Sequence, residues 1–280
     1  MNVTRVDSVD DPRLAGYAQI GDERWLAARG WFVAEGRFVV ERLVMARRQR
    51  VLSLLVNEAA LAALAPALAE LEAPIFVCAP RFFERLTGHH FHRGCLALAE
   101  RPPQPDTPAL LASARALVVL DRVADADNVG SVFRSSLALG VAALWLAPGC
   151  ADPLSRKAIR TSMGATLRVP FVSTRRRVEE PGGEVAPEQL WPECLPALEA
   201  RGFCLLGLSP REPSRELRDH APAANDSRWA LLIGSEGAGL SAEAEAAART
   251  RLRIAMQPGV DSLNLGVATG IALHWLLAPR

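Results

Sequence analysis

Four stretches beyond residue 108, residues 117–120, 141–146, 203–208 and 229–233, run almost without polar side chains (LVVL, VAALWL, FCLLGL, WALLI). A strand with one wet face alternates apolar and polar residues. A strand that is apolar throughout needs cover on both faces, the condition met in a parallel sheet flanked by helices. Helical patterns separate these runs. Residues 129–139 form one, closed by Gly140, which supplies a left-handed cap. Residues 192–201, 241–250 and 262–277 form others, and Asp152 followed by Pro153 opens a further helix with an acceptor at the cap and proline at its first position. With strands also expected at 167–172 and 252–255, the alternation predicts an α/β domain built on a parallel sheet. Residues 175–187 (RRRVEEPGGEVAP) interrupt the rhythm and read as an exposed loop.

Residues 101–108, RPPQPDTP, hold four prolines in eight positions. Proline lacks a donor and restricts the residue before it, so this stretch reads as an extended linker between a front domain (1–100) and a second domain (109–280). The front domain carries its own alternation. Strands are expected at 31–33, 51–56, 74–78 and 95–99, and helices at 37–48, 58–71 and 81–86, with Gly36 permitting a tight turn before Val40, Leu43 and Val44 fall at helical spacing. This too predicts a small α/β domain.

Composition removes several classes. Of 280 residues, 50% are hydrophobic and 22% charged, with a formal net charge of +1, which excludes a disordered chain and a globally basic nucleic-acid binder, though not a local basic patch. Residues 2–11 are too polar for a signal peptide. The charge-free stretch 262–279 approaches membrane-span length but contains Ser262, Asn264, Thr269 and His274, so it reads as a core helix of a soluble protein with no membrane partner. The five cysteines are scattered and never spaced CxxC, which speaks against a disulfide framework or zinc site and suits a reducing cytoplasm.

Three segments carry chemistry. In DNVGSVFRSS (127–136), Asn128 can cap the following helix, and Arg134 lies under two helical turns further on, both near the C-terminal edge of the sheet where α/β proteins bind ligands. In LIGSEGAGLS (232–241), Gly234, Gly237 and Gly239 allow a tight backbone turn with exposed N–H groups. The spacing is G-x-x-G-x-G and no P-loop lysine follows, which disfavours a dinucleotide or nucleoside-triphosphate enzyme. Glu236 inside that turn would repel phosphate and suits a cationic or neutral ligand. In IAMQPGVDSLNLGVATGI (254–271), Ser262 and Asn264 fall in the first turn of a helix whose Gly266, Ala268 and Gly270 permit close packing. Taken singly, each segment also reads as ordinary structure: a cap with a solvated arginine, a tight turn, a second cap.

Together, Asn128-x-Gly130-x-x-x-Arg134, Gly234-Ser235-Glu236-Gly237-x-Gly239-Leu240 and Ser262-Leu263-Asn264 resemble the SpoU class of SPOUT RNA methyltransferases over residues 117–277. Residues 152–165 (DPLSRKAIRTSMGA) resemble that family's Arg/Lys-bearing helix. FVAEGRFVVERL (32–43) resembles its substrate-binding domain, which is similar to a small α/β RNA-binding protein of the large ribosomal subunit. Leu265-Gly266 stands where many members have Val-Ser, and His92-Arg93-Gly94 where many have His-Gln-Gly. The resemblance implies a parallel sheet with a deep C-terminal trefoil knot and a homodimer formed through that domain. It also implies methyl transfer from S-adenosylmethionine to a ribose 2′-hydroxyl of ribosomal or transfer RNA. The cofactor contacts it implies are Leu208, Ser209, Gly234, Glu236, Gly239, Ile254, Met256, Ser262 and Leu263. The catalytic set is Asn128, Arg134, Glu236, Ser262 and Asn264. No metal is implied, and the three clustered histidines (His89, His90, His92) lack a fourth ligand at recognisable spacing.

Basic clusters supply an RNA surface. Residues 37–50 hold five arginines against one glutamate, 81–93 add three arginines, and 152–177 hold seven basic residues against one acid. Arg37, Arg42, Arg47, Arg93, Arg156, Lys157 and Arg160 are the expected phosphate contacts. A different class of protein, a non-catalytic RNA-binding or ribosome-associated module that kept the fold, explains the basic clusters but not the Arg134, Glu236, Ser262 and Asn264 set. An oxidoreductase lacks its glycine fingerprint.

Overall fold

The computed structural model describes residues 2–87, 94–174, 189–220 and 228–277. Contacts divide the chain into two compact units, one of residues 1–103 with 153–168 and one of 104–152 with 169–280.

In the first unit the elements run β1 (Val3–Arg5), α1 (Ala15–Ala18), α2 (Glu23–Ala28), β2 (Trp31–Glu35), α3 (Arg37–Ala46), β3 (Val51–Val56), α4 (Glu58–Leu68), β4 (Ile75–Val77), α5 (Pro80–Thr87) and β5 (Cys95–Glu100). The strand order is β1-β4-β3-β5-β2. β1, β4 and β3 are parallel, and β5 runs antiparallel to both β3 and β2. Tyr17, Phe83, Leu55 and Leu96 pack in a core cluster on this sheet.

The second unit begins with α6 (Thr107–Ser113), so the last two residues of the expected linker are already helical. Asp106 caps it by accepting from Ala109 N. Then come β6 (Ala116–Asp121), α7 (Ala126–Leu139) and β7 (Ala143–Leu146). The helix α8 (Arg156–Thr161) that follows belongs to the first unit. There the Arg156 guanidinium donates to Glu35 Oε2 at 3.1 Å, and Arg42 donates to the Met163 carbonyl at 2.6 Å. The 109–280 division expected from the linker is therefore interrupted: residues 153–168 leave their sequence neighbours to satisfy a carboxylate and a helix face of the front unit. Its cap is Ser155, not Asp152.

β8 (Phe171–Ser173), α9 (Cys194–Ala200), β9 (Phe203–Leu208), β10 (Arg215–Glu216), β11 (Arg228–Gly234), α10 (Ala242–Ala247), β12 (Thr250–Arg253) and α11 (Leu265–Leu277) complete the chain. The strand expected at 167–172 is corrected. Residues 165–167 form a 3-10 turn, and pairing with β7 starts only at Phe171. The seven strands β10-β12-β9-β11-β6-β7-β8 form one sheet, parallel throughout. Trp145, Leu117, Leu205, Leu232 and Leu198 are buried together in its core, as expected of strands covered on both faces. No helix among the described residues is long and apolar enough to cross a membrane. Arg93, His89, His90, His92 and the loop expected at 175–187 lie outside the described residues.

Candidate active site

The three motifs converge at the C-terminal ends of β9, β11, β6 and β12. Asp125, not Asn128, caps α7, accepting from the backbone N–H of Asp127 and of Asn128. This corrects the expected cap. It also frees the Asn128 side chain, buried in the first turn of α7, for another partner. That partner is Asn264, whose Nδ2 donates to Asn128 Oδ1 at 3.0 Å and to Glu236 Oε1 at 3.2 Å.

α11 begins at Leu265 rather than at Ser262, and Asn264 is its cap. Asn264 Oδ1 accepts from Gly266 N at 3.0 Å and Val267 N at 3.3 Å, while Glu236 Oε1 accepts from Leu265 N at 3.3 Å. Two side chains thus satisfy three of the orphan N–H groups at one helix start. A carboxylate at a helix N-terminus also complements the dipole there. The orientation of Asn264 follows: its oxygen faces backbone donors, and its amino group faces a carboxylate that can only accept.

Glu236 reaches this position because the segment after β11 turns back on itself. Ser235 N donates to Gly239 O at 3.1 Å, and Gly239 N to Ser235 O at 2.9 Å. Gly237 and Gly239 hold φ of 83° and 76°, and a Cβ on Gly234 would lie 2.1 Å from the Gly239 carbonyl carbon. Only glycine fits these positions. The turn is tied to the sheet by Asp121, wholly buried at the end of β6, whose Oδ2 accepts from Ser241 N at 2.6 Å.

Beside the cluster lies a cavity of about 360 Å³. Every residue expected to hold a cofactor, from Leu208 to Leu263, lines it. So do Pro210 and Arg211, which lie in no motif, and Asp261, Leu265 and Ala268, which were not expected to touch the cofactor. Ser262 is on the lining, exposed, and outside the hydrogen-bonded cluster among the described contacts. Arg134 is exposed on α7 and likewise joins none of the described bonds to Asn128, Glu236 or Asn264. The structure therefore brings three of the five expected catalytic residues into one network and leaves Ser262 and Arg134 outside its described bonds.

Of the expected phosphate contacts, Arg37, Lys157 and Arg160 are exposed. Arg47 pairs with Glu70, Arg42 is held by the Met163 carbonyl, and the Arg156 side chain is 16% exposed against Glu35.

The profile of the SpoU rRNA Methylase family matches residues 115–274. The chain belongs to that family. An uncharacterised tRNA/rRNA methyltransferase of Mycobacterium tuberculosis is similar over almost the whole length: 36% identical over 278 residues, 98% of this chain and 91% of that protein. A 23S rRNA adenosine 2′-O-methyltransferase of Streptomyces azureus is 32% identical over 178 residues, covering 62% of this chain and 59% of its own. The crystal structure of the AdoMet-bound rRNA methyltransferase from Sinorhizobium meliloti has the same fold, with a TM-score of 0.78 at 22% identity over 98% of this chain and 97% of that one. For a SpoU family member, the cavity and the Asn128, Glu236 and Asn264 network are the candidate active site.

Proposed function

We propose that this SpoU family chain transfers a methyl group from S-adenosylmethionine to a ribose 2′-hydroxyl of a ribosomal or transfer RNA. The observation that carries the reading is the bond network joining Asn128, Glu236 and Asn264 beside the cavity, whose wall includes Glu236. An inert RNA-binding module needs no such network.

The lining fits the cofactor chemically. Glu236 and Asp261 place negative charge beside a site for a cation, and Leu208, Ile233 and Leu265 offer apolar wall. The glycine turn brings backbone donors and acceptors within reach of a heterocycle's edge. When bound, S-adenosylmethionine supplies the activated methyl group.

The chain's own contribution is alignment and charge. Asn264 and Asn128 fix the start of α11 against the start of α7, so the loop before α11 and the exposed Arg134 on α7 hold constant separation. Holding a sugar oxygen in line with a methyl carbon removes much of the entropic part of the barrier. A guanidinium offers fixed positive charge and N–H donors but no acceptor. The role of Arg134 in this reading is to stabilise the developing alkoxide and clamp a flanking phosphate, not to act as a base.

The reading also includes a homodimer. Val267 and Ile271 are 52% and 41% exposed on α11, a helix apolar around nearly its whole circumference, and a second copy would cover them. It includes, too, the deep C-terminal trefoil knot and the ribosomal-protein-like front domain that the motif resemblance implies. Cytoplasmic placement goes with an RNA substrate of this kind.

Single-turnover transfer from labelled S-adenosylmethionine to total ribosomal and transfer RNA, followed by alkaline hydrolysis to reveal protected 2′-O-methyl positions, tests the reading. Wild-type protein should label RNA at alkali-resistant positions. Arg134→Ala should lose that labelling while still binding the cofactor in calorimetry. Near wild-type transfer by Arg134→Ala overturns its assignment, and label on bases alone overturns the 2′-hydroxyl.

A further inference from the structure

The charges on the cavity wall do more than the methyl-transfer reading uses. Three ionisable side chains line it among the described residues: Glu236, Asp261 and Arg211. Glu236 is committed to the start of α11. Arg211 is the one cation, and nothing in the alignment of sugar and methyl group calls for it.

Arg211 is held in place. Its backbone N donates to Ser209 Oγ at 3.3 Å, and its Nη2 donates to the Gly237 carbonyl at 3.0 Å. The guanidinium lies against the glycine turn: a Cβ built on Gly239 would be 3.6 Å from Nη1 and 3.7 Å from Cζ. That is ordinary contact distance; it is the φ of 76° at Gly239 that disfavours a side chain there. The turn is thus stripped to backbone at the point where the guanidinium crosses it. A guanidinium has five N–H donors in a planar fork. Its described bond to Gly237 leaves the fork able to receive a carboxylate, the geometry such a group matches best.

S-adenosylmethionine carries two cations, a sulfonium and an ammonium, and a single anion, its α-carboxylate. Two acids and one arginine on the wall mirror that inventory with opposite sign. We propose that Arg211 binds the α-carboxylate of the cofactor's methionine portion and so selects for the intact amino-acid tail. This rests on the methyltransferase reading and adds to it a specificity-determining residue.

Calorimetry with two ligands that differ only in that carboxylate, S-adenosylmethionine and decarboxylated S-adenosylmethionine, isolates the contact. Arg211→Ala should weaken S-adenosylmethionine by about ten- to hundred-fold, the range for a hydrogen bond to a charged group. It should leave the decarboxylated ligand within about two-fold, because that ligand never made the contact. Arg211→Gln, which keeps an N–H for the Gly237 carbonyl but no charge, should show the same split and so separates charge from turn geometry. Equal losses for both ligands would mean that Arg211 only shapes the turn. Unchanged cofactor binding with a raised KM for RNA would assign it to a phosphate instead. Either result overturns the proposal. A wild-type chain that binds neither ligand sinks the methyltransferase reading itself, and the clamp with it.

Discussion

Asn264 and Asn128 stand 136 positions apart in the chain and meet in one side-chain hydrogen bond of 3.0 Å. The contact locks the first turn of α11 to the first turn of α7. The seam continues below it: a Cβ on Gly266 would lie 2.6 Å from Ser131 Cβ, so the two helices touch nearly backbone to backbone.

Asn264→Asp tests this bond without removing the cap. Aspartate still accepts from Gly266 N and Val267 N, and caps of this kind differ little from asparagine. It cannot donate to Asn128, and it sets a second carboxylate beside Glu236. Methyl transfer should fall by about two orders of magnitude, as for loss of a positioning contact at a reaction centre. The thermal midpoint should move by only a few degrees, about 1 kcal/mol or less. Rates near wild type would mean that the network is structural alone.

Gly234→Ala addresses the turn. The added methyl group would meet the Gly239 carbonyl carbon and Leu240 N at 2.1 and 2.2 Å, backbone atoms with nowhere to go. Overpacking of this kind costs about 1–3 kcal/mol, and here it would displace Glu236 and the cavity wall together. Cofactor affinity measured by calorimetry should collapse while far-ultraviolet dichroism stays native. Retained affinity would show that the wall tolerates an opened turn.

Most of the sheet was legible because its evidence is local. The strand at 203–208 and the strand at 51–56 fall where their apolar runs predict, and Gly140 ends α7 in the left-handed conformation, with φ of 81°. The cap of α7 was less so. Asp125, Asp127 and Asn128 are all competent caps within four residues, and the path of the chain out of β6 decides among them. The run at 167–172 spans two environments that the sequence does not separate: Leu167 is buried in the 3-10 turn of the first unit, and Phe171 and Val172 belong to β8 of the second. Arg211 belongs to no motif, and Asp261, though inside the segment 254–271, was not singled out. Their place on the cavity wall comes from loops that meet only after the sheet has formed, and no spacing within the chain encodes it.

Asp121 anchors the same turn from beneath. It is fully buried, and its Oδ2 accepts from the Ser241 N–H, which stands at the cap of α10. Asp121→Ala leaves that donor buried and unpaired, at a cost of about 1–3 kcal/mol. The urea midpoint should drop with an unchanged m-value, and cofactor binding should weaken with it. Asp121→Asn keeps an acceptor and should recover most of the stability. If the alanine variant is as stable as wild type, the bond does not hold the turn.

The arginines of the front unit divide into two kinds, and substitution should separate them. Arg156 is largely buried against Glu35, a carboxylate only 11% exposed whose next cation, Arg160, is 3.8 Å away. Arg156→Ala should therefore lower stability by about 1–3 kcal/mol, the cost of a buried charged group losing a hydrogen-bond partner. Arg37 is exposed at the first position of α3, where the chain emerges from Gly36 at φ of 93°. Arg37→Ala should leave the thermal midpoint unchanged and weaken RNA binding severalfold. It should also reduce the slope of log affinity against log salt by about one, because one fewer phosphate counterion is released. Anisotropy titrations of structured RNA across a range of salt concentrations measure both quantities. An unchanged slope would remove Arg37 from the RNA surface and shift the search to Lys157 and Arg160, two further exposed cations of that unit.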